Sequence, residues 1–240
     1  MIAIILAGGY AKRLWPLTLD KPKALLDIDG RPIIDYIMDK IAKEKIIKKT
    51  VISTNLRFQH QFENWLSRRK YKNTAFIPDE STSQDTKIGV VRALANITST
   101  IHDDFIVLAA DSLFKDDLDK LIEYFYLKRS PVVALYKAHS LQEVKRGSEV
   151  NIDRDGKIIQ FVEKPKNPKS KLIGSCIYVF PANVRESLIN YVESGYPLDE
   201  AGNFISWLYK KGPVYGFMLN SHLLDIGTID TYKEAQYYFE

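Results

Sequence analysis

The chain has 240 residues, 45% hydrophobic and 27% charged, enough to bury a sizeable core and typical of a globular α/β protein. Its 34 basic and 30 acidic residues leave a formal charge of +4, too mild an excess to argue for a nucleic-acid partner. A single cysteine, Cys176, excludes an internal disulfide framework, and no run approaches the roughly 18 apolar residues of a membrane span, so a cytoplasmic, membrane-free protein is expected.

Taken in chain order, apolar β-branched runs predict strands at 2–7, 50–54, 74–77, 105–109 and 131–136. Between them, apolar residues recurring at three- and four-residue spacing predict helices at 33–43, 58–69, 88–97 and 117–128. Such alternation implies a doubly wound, mostly parallel sheet of the α/β class. The second half changes character. Stretches 148–154 and 157–163 flank Asp155-Gly156, a strong hairpin signal, and 173–180 reads as a further strand. Cys176 lies inside that apolar run, which predicts a buried, inert thiol. Helices near 183–193 and 202–211, a strand at 214–219 and a closing helix from 230 complete the pattern. No Pro/Gly/Ser-rich linker or repeat interrupts the chain, so one domain over 1–240 with an inserted β-hairpin region is expected.

The first apolar run has no basic segment before it, unlike a signal peptide, and ends in Leu6-Ala7-Gly8-Gly9. It passes into a loop carrying Lys12, Arg13 and Lys23. A buried strand that runs into glycines and then cations places backbone N–H groups and fixed charge at its carboxyl end. Open α/β sheets bind ligands there, and the combination suits polyphosphate. The glycine pair alone fits an ordinary strand-to-helix turn equally well. The strand at 105–109 leads to Asp111, placed either to hold Mg²⁺ against phosphate oxygens or to cap a turn. His60, His102, His139 and His222 show no metal-ligand spacing.

The string Leu6 to Gly9, Arg13-Leu14, Pro16 with Thr18, and Pro22-Lys23 resembles the signature of the sugar-1-phosphate nucleotidyltransferases. Ala11 stands where those enzymes usually have glycine, and Lys12 where they have threonine. Asp111 and Asp225-Ile226-Gly227-Thr228 are similar to the family's two metal motifs, with Ala110 in place of a usual glycine. Val162-Glu163-Lys164-Pro165 resembles its glutamate-lysine-proline element, flanked by Gly147 and Gly174. Ile88-Gly89 resembles a glycine-led helix that covers the base.

The resemblance implies a Rossmann-like domain whose hairpin region forms the sugar side of the site. It implies roles for Arg13, Lys23 and Lys164 in catalysis, and for Leu6, Ala7, Gly8, Gly9, Lys12, Glu80 and Gly89 in nucleotide binding. Gly147, Glu163, Lys164 and Gly174 would receive the sugar phosphate, and Asp111 and Asp225 one Mg²⁺. The substrates would be a nucleoside triphosphate and a hexose 1-phosphate, with glucose-1-phosphate thymidylyl or uridylyl transfer preferred. Mannose-1-phosphate guanylyl transfer and a non-catalytic, sugar-nucleotide-sensing subunit are the alternatives. The C-terminal hexapeptide-repeat domain of some relatives is not expected, and the oligomeric state stays open, a homo-oligomer included.

Overall fold

In the computed structural model, which describes residues 1–239 apart from the Gln84 side chain, the apolar runs become strands and the amphipathic stretches helices. The chain begins β1 (Ile2–Leu6), β2 (Asp27–Ile28), β3 (Arg31–Pro32), α1 (Ile33–Lys43), β4 (Lys49–Asn55), α2 (Gln59–Ser67) and β5 (Thr74–Asp79). There follow α3 (Val90–Thr98), β6 (Phe105–Ala109), β7 (Ser112–Leu113), α4 (Asp119–Lys128), β8 (Val132–Lys137) and α5 (Leu141–Arg146). The remainder is β9 (Ser148–Ile152), β10 (Ile158–Glu163), β11 (Leu172–Phe180), α6 (Val184–Glu193), α7 (Ala201–Leu208), β12 (Tyr215–Met218), β13 (Leu224–Asp225) and α8 (Ile229–Ala235). No helix among the described residues is long and apolar enough to cross a membrane.

Seven strands form one sheet in the order β12-β8-β11-β6-β1-β4-β5. The pairs β1/β4, β4/β5 and β8/β12 are parallel and β11/β8 is antiparallel, giving the mostly parallel mixed sheet that the alternation predicts. β4 is buried along almost its whole length, as a strand covered on both faces must be, although only Val51 and Ile52 of its seven residues are apolar. β5 lies at the sheet's edge, where Pro78 removes no interior ladder bond.

Contacts group the chain into two compact units: Met1–Ile88, Val107–Phe114 and the chain from Leu223; and Gly89–Ile106 with Lys115–His222. In the first, Leu14, Leu26, Ile28, Ile33, Leu113, Leu224, Ile226 and Ala235 form one buried cluster. It joins segments from the start, middle and end of the chain. In the second, the predicted Asp-Gly hairpin forms between β9 and β10. Asp153 Oδ1 accepts from the Asp155 and Lys157 backbone N–H groups at 3.0 and 2.9 Å. Gly156 turns the chain at φ +81°, and a Cβ there would meet the Tyr124 hydroxyl at 2.5 Å.

Several elements differ from expectation. Helix α3 starts at Val90 rather than 88 because Gly89, at φ +85°, is its N-cap. The β2/β3 hairpin was not legible as two strands of two residues each, although Asp29 and Gly30 at φ +49° and +72° have the left-handed pair such a turn requires. Helix α5 is six residues, too short for periodicity, but Ser140 Oγ caps it by accepting from Glu143 N at 3.3 Å. Cys176 is half-buried rather than buried.

Leu14 is fully enclosed, and truncation there leaves a void that the cluster around it closes only in part. Leu14→Ala should lower the unfolding free energy by about 2–5 kcal/mol. Denaturant melts read this directly, and a loss under about 1 kcal/mol would show that the cluster is not a packed core.

Candidate active site

The first unit assembles its polar residues at the carboxyl end of β1. There Ala7 N donates to Ser53 O at 2.8 Å and Leu6 O accepts from Ala110 N at 3.0 Å, so both residues are tied into the flanking strands. Gly8 O accepts from Asn55 Nδ2 at 3.0 Å. Gly9 is exposed, and a Cβ built on it would have nothing within 4 Å. Backbone is therefore laid open where the glycines end the strand.

Ala11 then adopts a left-handed conformation, φ 46° and ψ 46°. A glycine would adopt it without the roughly 1–2 kcal/mol penalty of a side chain. The conformation is pinned because Ala11 O accepts from Leu14 N and from Thr18 Oγ1, both at 2.9 Å. The 3₁₀ turn Lys12–Leu14 that follows buries Leu14 and leaves Lys12 and Arg13 exposed. A second 3₁₀ turn, Lys23–Leu25, buries Ala24 and Leu25 and leaves Lys23 half-buried.

Lys23 Nζ donates to Asp111 Oδ2. Burial alone would lower the Lys23 pKa; the carboxylates of Asp111 and Asp225 outweigh it, Arg13 opposes them, and the net shift is upward. Asp225 reaches this place through the short ladder in which β13 pairs with β7, Asp225 opposite Ser112. Ile226 N donates to Asp111 O at 3.0 Å, locking the two aspartate segments together. A Cβ at Gly227 would lie 3.3 Å from an Arg13 guanidinium nitrogen and 3.4 Å from Asp225 Oδ2, so Arg13 stands beside Asp225. Two adjacent carboxylates with hard oxygen donors suit Mg²⁺, which takes one or two carboxylates and leaves its other positions to phosphate oxygens and water. No group of three or more His, Cys, Asp or Glu side chains among the described residues offers a more complete cage. The residues present therefore fit the ion.

Of the other nucleotide-side candidates, Glu80 is exposed. Gly89 belongs to the second unit. A Cβ on Gly89 would come within 2.7 Å of Leu198 Cβ and 2.8 Å of Leu198 O, so packing and a positive φ already demand glycine there.

The second unit gathers Gly147, Glu163, Lys164 and Gly174. Lys164 N donates to Gly147 O at 2.8 Å. Ser148 Oγ bridges to Gly174, accepting from its N and donating to its O, both at 3.1 Å. A Cβ at Gly174 would strike Phe161 Cε2 at 2.7 Å. Lys164 is held at φ +46°, a strained backbone for a side-chain-bearing residue and a common mark of a functional position.

Two residues that sequence reasoning did not single out complete the group. Lys164 Nζ pairs with Glu200, at the N-cap of α7. A Cβ at Gly202 would fall on the Glu163 carboxylate, so this glycine makes the space that the carboxylate occupies. The Glu200-Ala201-Gly202 string at a helix start was the available signal. Burial, reinforced by Glu200 and opposed by Lys164, pushes Glu163 up to about 7.

His139 and His222 come together, ring centroids 4.0 Å apart, with Glu143 Oε1 3.7 Å from His222 Nε2.

Because the folded state holds the Glu163 proton more tightly than the unfolded chain, stability falls as pH rises from about 4.5 to about 7 and stays at the lower level above. Glu163→Gln should remove that slope and leave the variant more stable than wild type at pH 8. Gly202→Ala, which displaces the carboxylate, should flatten it too. Thermal melts between pH 4.5 and 8 measure this; parallel wild-type and Glu163→Gln curves would refute the buried-carboxylate account.

The chain is 30% identical to the bifunctional protein GlmU of Methanocaldococcus jannaschii over 241 residues, covering 99% of this chain and 54% of that protein. The chain thus spans about half the length of such relatives. It is 26% identical to the UTP–glucose-1-phosphate uridylyltransferase AglF of Haloferax volcanii, covering 98% and 95% of the two chains. Its fold matches a crystal structure of UDP-glucose pyrophosphorylase complexed with UDP-glucose with a TM-score of 0.81 at 21% identity, over 100% and 98% of the chains. The nucleotidyl transferase family profile matches residues 2–240, and the chain belongs to that family.

Proposed function

We propose that the protein joins a nucleoside triphosphate to a hexose 1-phosphate, giving a nucleotide sugar and pyrophosphate. The observation that carries this reading is the cluster of Arg13, Lys23, Asp111 and Asp225 at the carboxyl end of β1. Such a cluster has no role in a plain dinucleotide fold, which holds a pyrophosphate on a helix N-terminus. In this reading Arg13, Lys23, Asp111 and Asp225 serve the triphosphate, and Glu163 and Lys164 serve the sugar phosphate.

The reaction brings two polyanions together. At an effective dielectric near 20, each like-charge pair at 4 Å opposes approach by about 4 kcal/mol. Arg13 and Lys23 offset this at the triphosphate, and Lys164 at the sugar phosphate. Mg²⁺, held by Asp111 and Asp225, would neutralise charge on the phosphate oxygens. A sugar-phosphate oxygen attacks the α-phosphorus; one P–O bond forms, the bond to the bridging oxygen of the β-phosphate breaks, and pyrophosphate leaves. The nucleophile is already anionic, so no general base is needed, and positioning with charge stabilisation suffices.

On the sugar side, a Glu163 protonated near neutrality would both donate to and accept from sugar hydroxyls, and Lys164 would exchange its Glu200 partner for phosphate. Among substrates we favour glucose 1-phosphate with a uridylyl or thymidylyl donor. The likeness to AglF along nearly the whole of both chains supports this.

Asp111→Asn and Asp225→Asn should each reduce turnover at least about a hundredfold at limiting Mg²⁺, with melting curves unchanged in cooperativity. Near-wild-type rates in either would remove the shared-metal assignment. Lys164→Ala should raise the sugar-phosphate KM about tenfold and lower kcat, with little change in triphosphate KM; the reverse pattern would put Lys164 in the other half. Pyrophosphate release from each triphosphate paired with glucose, mannose and N-acetylglucosamine 1-phosphates tests the reaction itself. No release from any pair would leave the sugar-nucleotide-sensing alternative.

A further inference from the structure

Helix α7 is fastened to β10 by Ser206 Oγ, which donates to Phe161 O at 2.9 Å, and Glu200 is the N-cap of that helix. The docking brings the Glu200 carboxylate to the end of β10, where Lys164 Nζ pairs with it. The Lys164 main chain is fixed in turn by its N–H, which donates to Gly147 O at 2.8 Å. The Lys164–Glu200 pair is exposed, at 51% and 41% for the two side chains, whereas the Glu163 carboxylate lies in the space that Gly202 leaves.

Across the β9/β10 ladder, Ser148 stands opposite Glu163. Tyr178 of β11, 3% exposed, is close enough for Glu163 and Glu200 to act on it, and its burial keeps the phenol neutral. The charges acting on Glu163 itself are Glu200, which opposes its ionisation, and Lys164, which favours it. One cation thus answers two carboxylates before a ligand arrives. A phosphate monoester brings up to two further negative charges.

We infer that a hexose 1-phosphate is taken up together with a proton, held by Glu163, and that Glu200 is the positioning residue that makes the uptake necessary. This rests on the nucleotidyl-transfer reading and adds how its sugar-phosphate half responds to pH. As Lys164 turns to the phosphate, Glu200 and Glu163 lose their shared counter-charge and gain an anionic neighbour. A proton from solvent relieves the excess, and Glu163 is the group that receives it. Glu200 is exposed, so water stabilises its charge. The phosphate, with a second pKa near 6, arrives at pH 8 as the dianion, and an ammonium beside it keeps it so. An ammonium has no proton to gain. Glu163 is already held up to about 7 by burial, and the added negative charge moves it in the same direction. Affinity for the sugar phosphate therefore falls as pH rises above about 7, where the empty site has lost the proton that the complex holds.

The test is isothermal titration with glucose, mannose and N-acetylglucosamine 1-phosphates, without and with inorganic tripolyphosphate and Mg²⁺. Titrations at pH 8 in buffers of different ionisation enthalpy count the protons, and pyrophosphate release is measured in parallel. Wild type should take up roughly half a proton per sugar phosphate, with affinity falling at least about threefold between pH 7 and pH 8. Glu163→Gln should take up none and bind with the same affinity at both pH values. Glu200→Gln should cut the uptake to less than half of the wild-type count, and Glu200→Asp should restore it; this pair decides the matter if Glu163→Gln does not fold. Binding without proton uptake in wild type, uptake that persists in Glu163→Gln, or a wild-type count in Glu200→Gln would overturn the inference while pyrophosphate release stands. Neither binding nor pyrophosphate release with any of the three sugar phosphates would remove the transferase reading and the inference with it.

Discussion

The arrangement of charge in the first unit depends on the apolar cluster around Leu14 and Ile226. Leu14 comes from the loop after β1, Leu26 from the turn after Lys23, Leu113 from the strand after Asp111, and Leu224 and Ile226 flank Asp225. Each buried side chain is next to, or within three residues of, a charged residue that it holds at the surface of the cluster. Burial of a leucine or isoleucine is worth roughly 1.5–3 kcal/mol, so the cluster has the means to hold like charges together. Arg13 and Lys23 repel each other, as do Asp111 and Asp225. Interleaving the two signs relieves both repulsions, and Lys23, charged despite its burial, records the result.

The second unit solves a different problem, that of keeping a carboxylate inside. Glu163 is enclosed against Gly202, and Glu200 adds a like charge nearby. Desolvation favours its neutral form, and Lys164 offsets this only in part because it is also paired with Glu200. The group is therefore poised near neutrality, where a carboxyl can serve as donor and acceptor together. Strain accompanies it: Lys164 at φ +46° is held by its backbone bond to Gly147. Polar groups placed at a loss to the fold are expected where a ligand later repays them.

Glycines in the two units illustrate how one residue type answers different demands. Gly89 is required by Leu198 and by its own positive φ, Gly174 by Phe161, and Gly202 by a carboxylate. Gly9, by contrast, has open space where a side chain would be. A packing requirement and a ligand requirement look alike in a string of letters. Ala11 makes the same point from the other side, since it adopts a glycine conformation without being glycine.

The strand–helix alternation, the Asp155-Gly156 hairpin and the carboxyl-edge position of Gly8, Gly9 and Asp111 were determined by local chemistry. Periodicity, β-branching and turn residues act over a few positions and need no distant partner. The family motifs likewise marked Arg13, Lys23, Glu163, Lys164 and Asp225 one by one. What only the tertiary structure decided are the relations between them. The pairing of β13 with β7 sets Asp225 beside Asp111, and the start of α7 brings Glu200 to Lys164. His139 and His222, scattered in the chain, are neighbours in space. Each of these depends on which strands pair and which helix starts pack, and those choices are made by burial summed over the whole core. No window of sequence contains that sum.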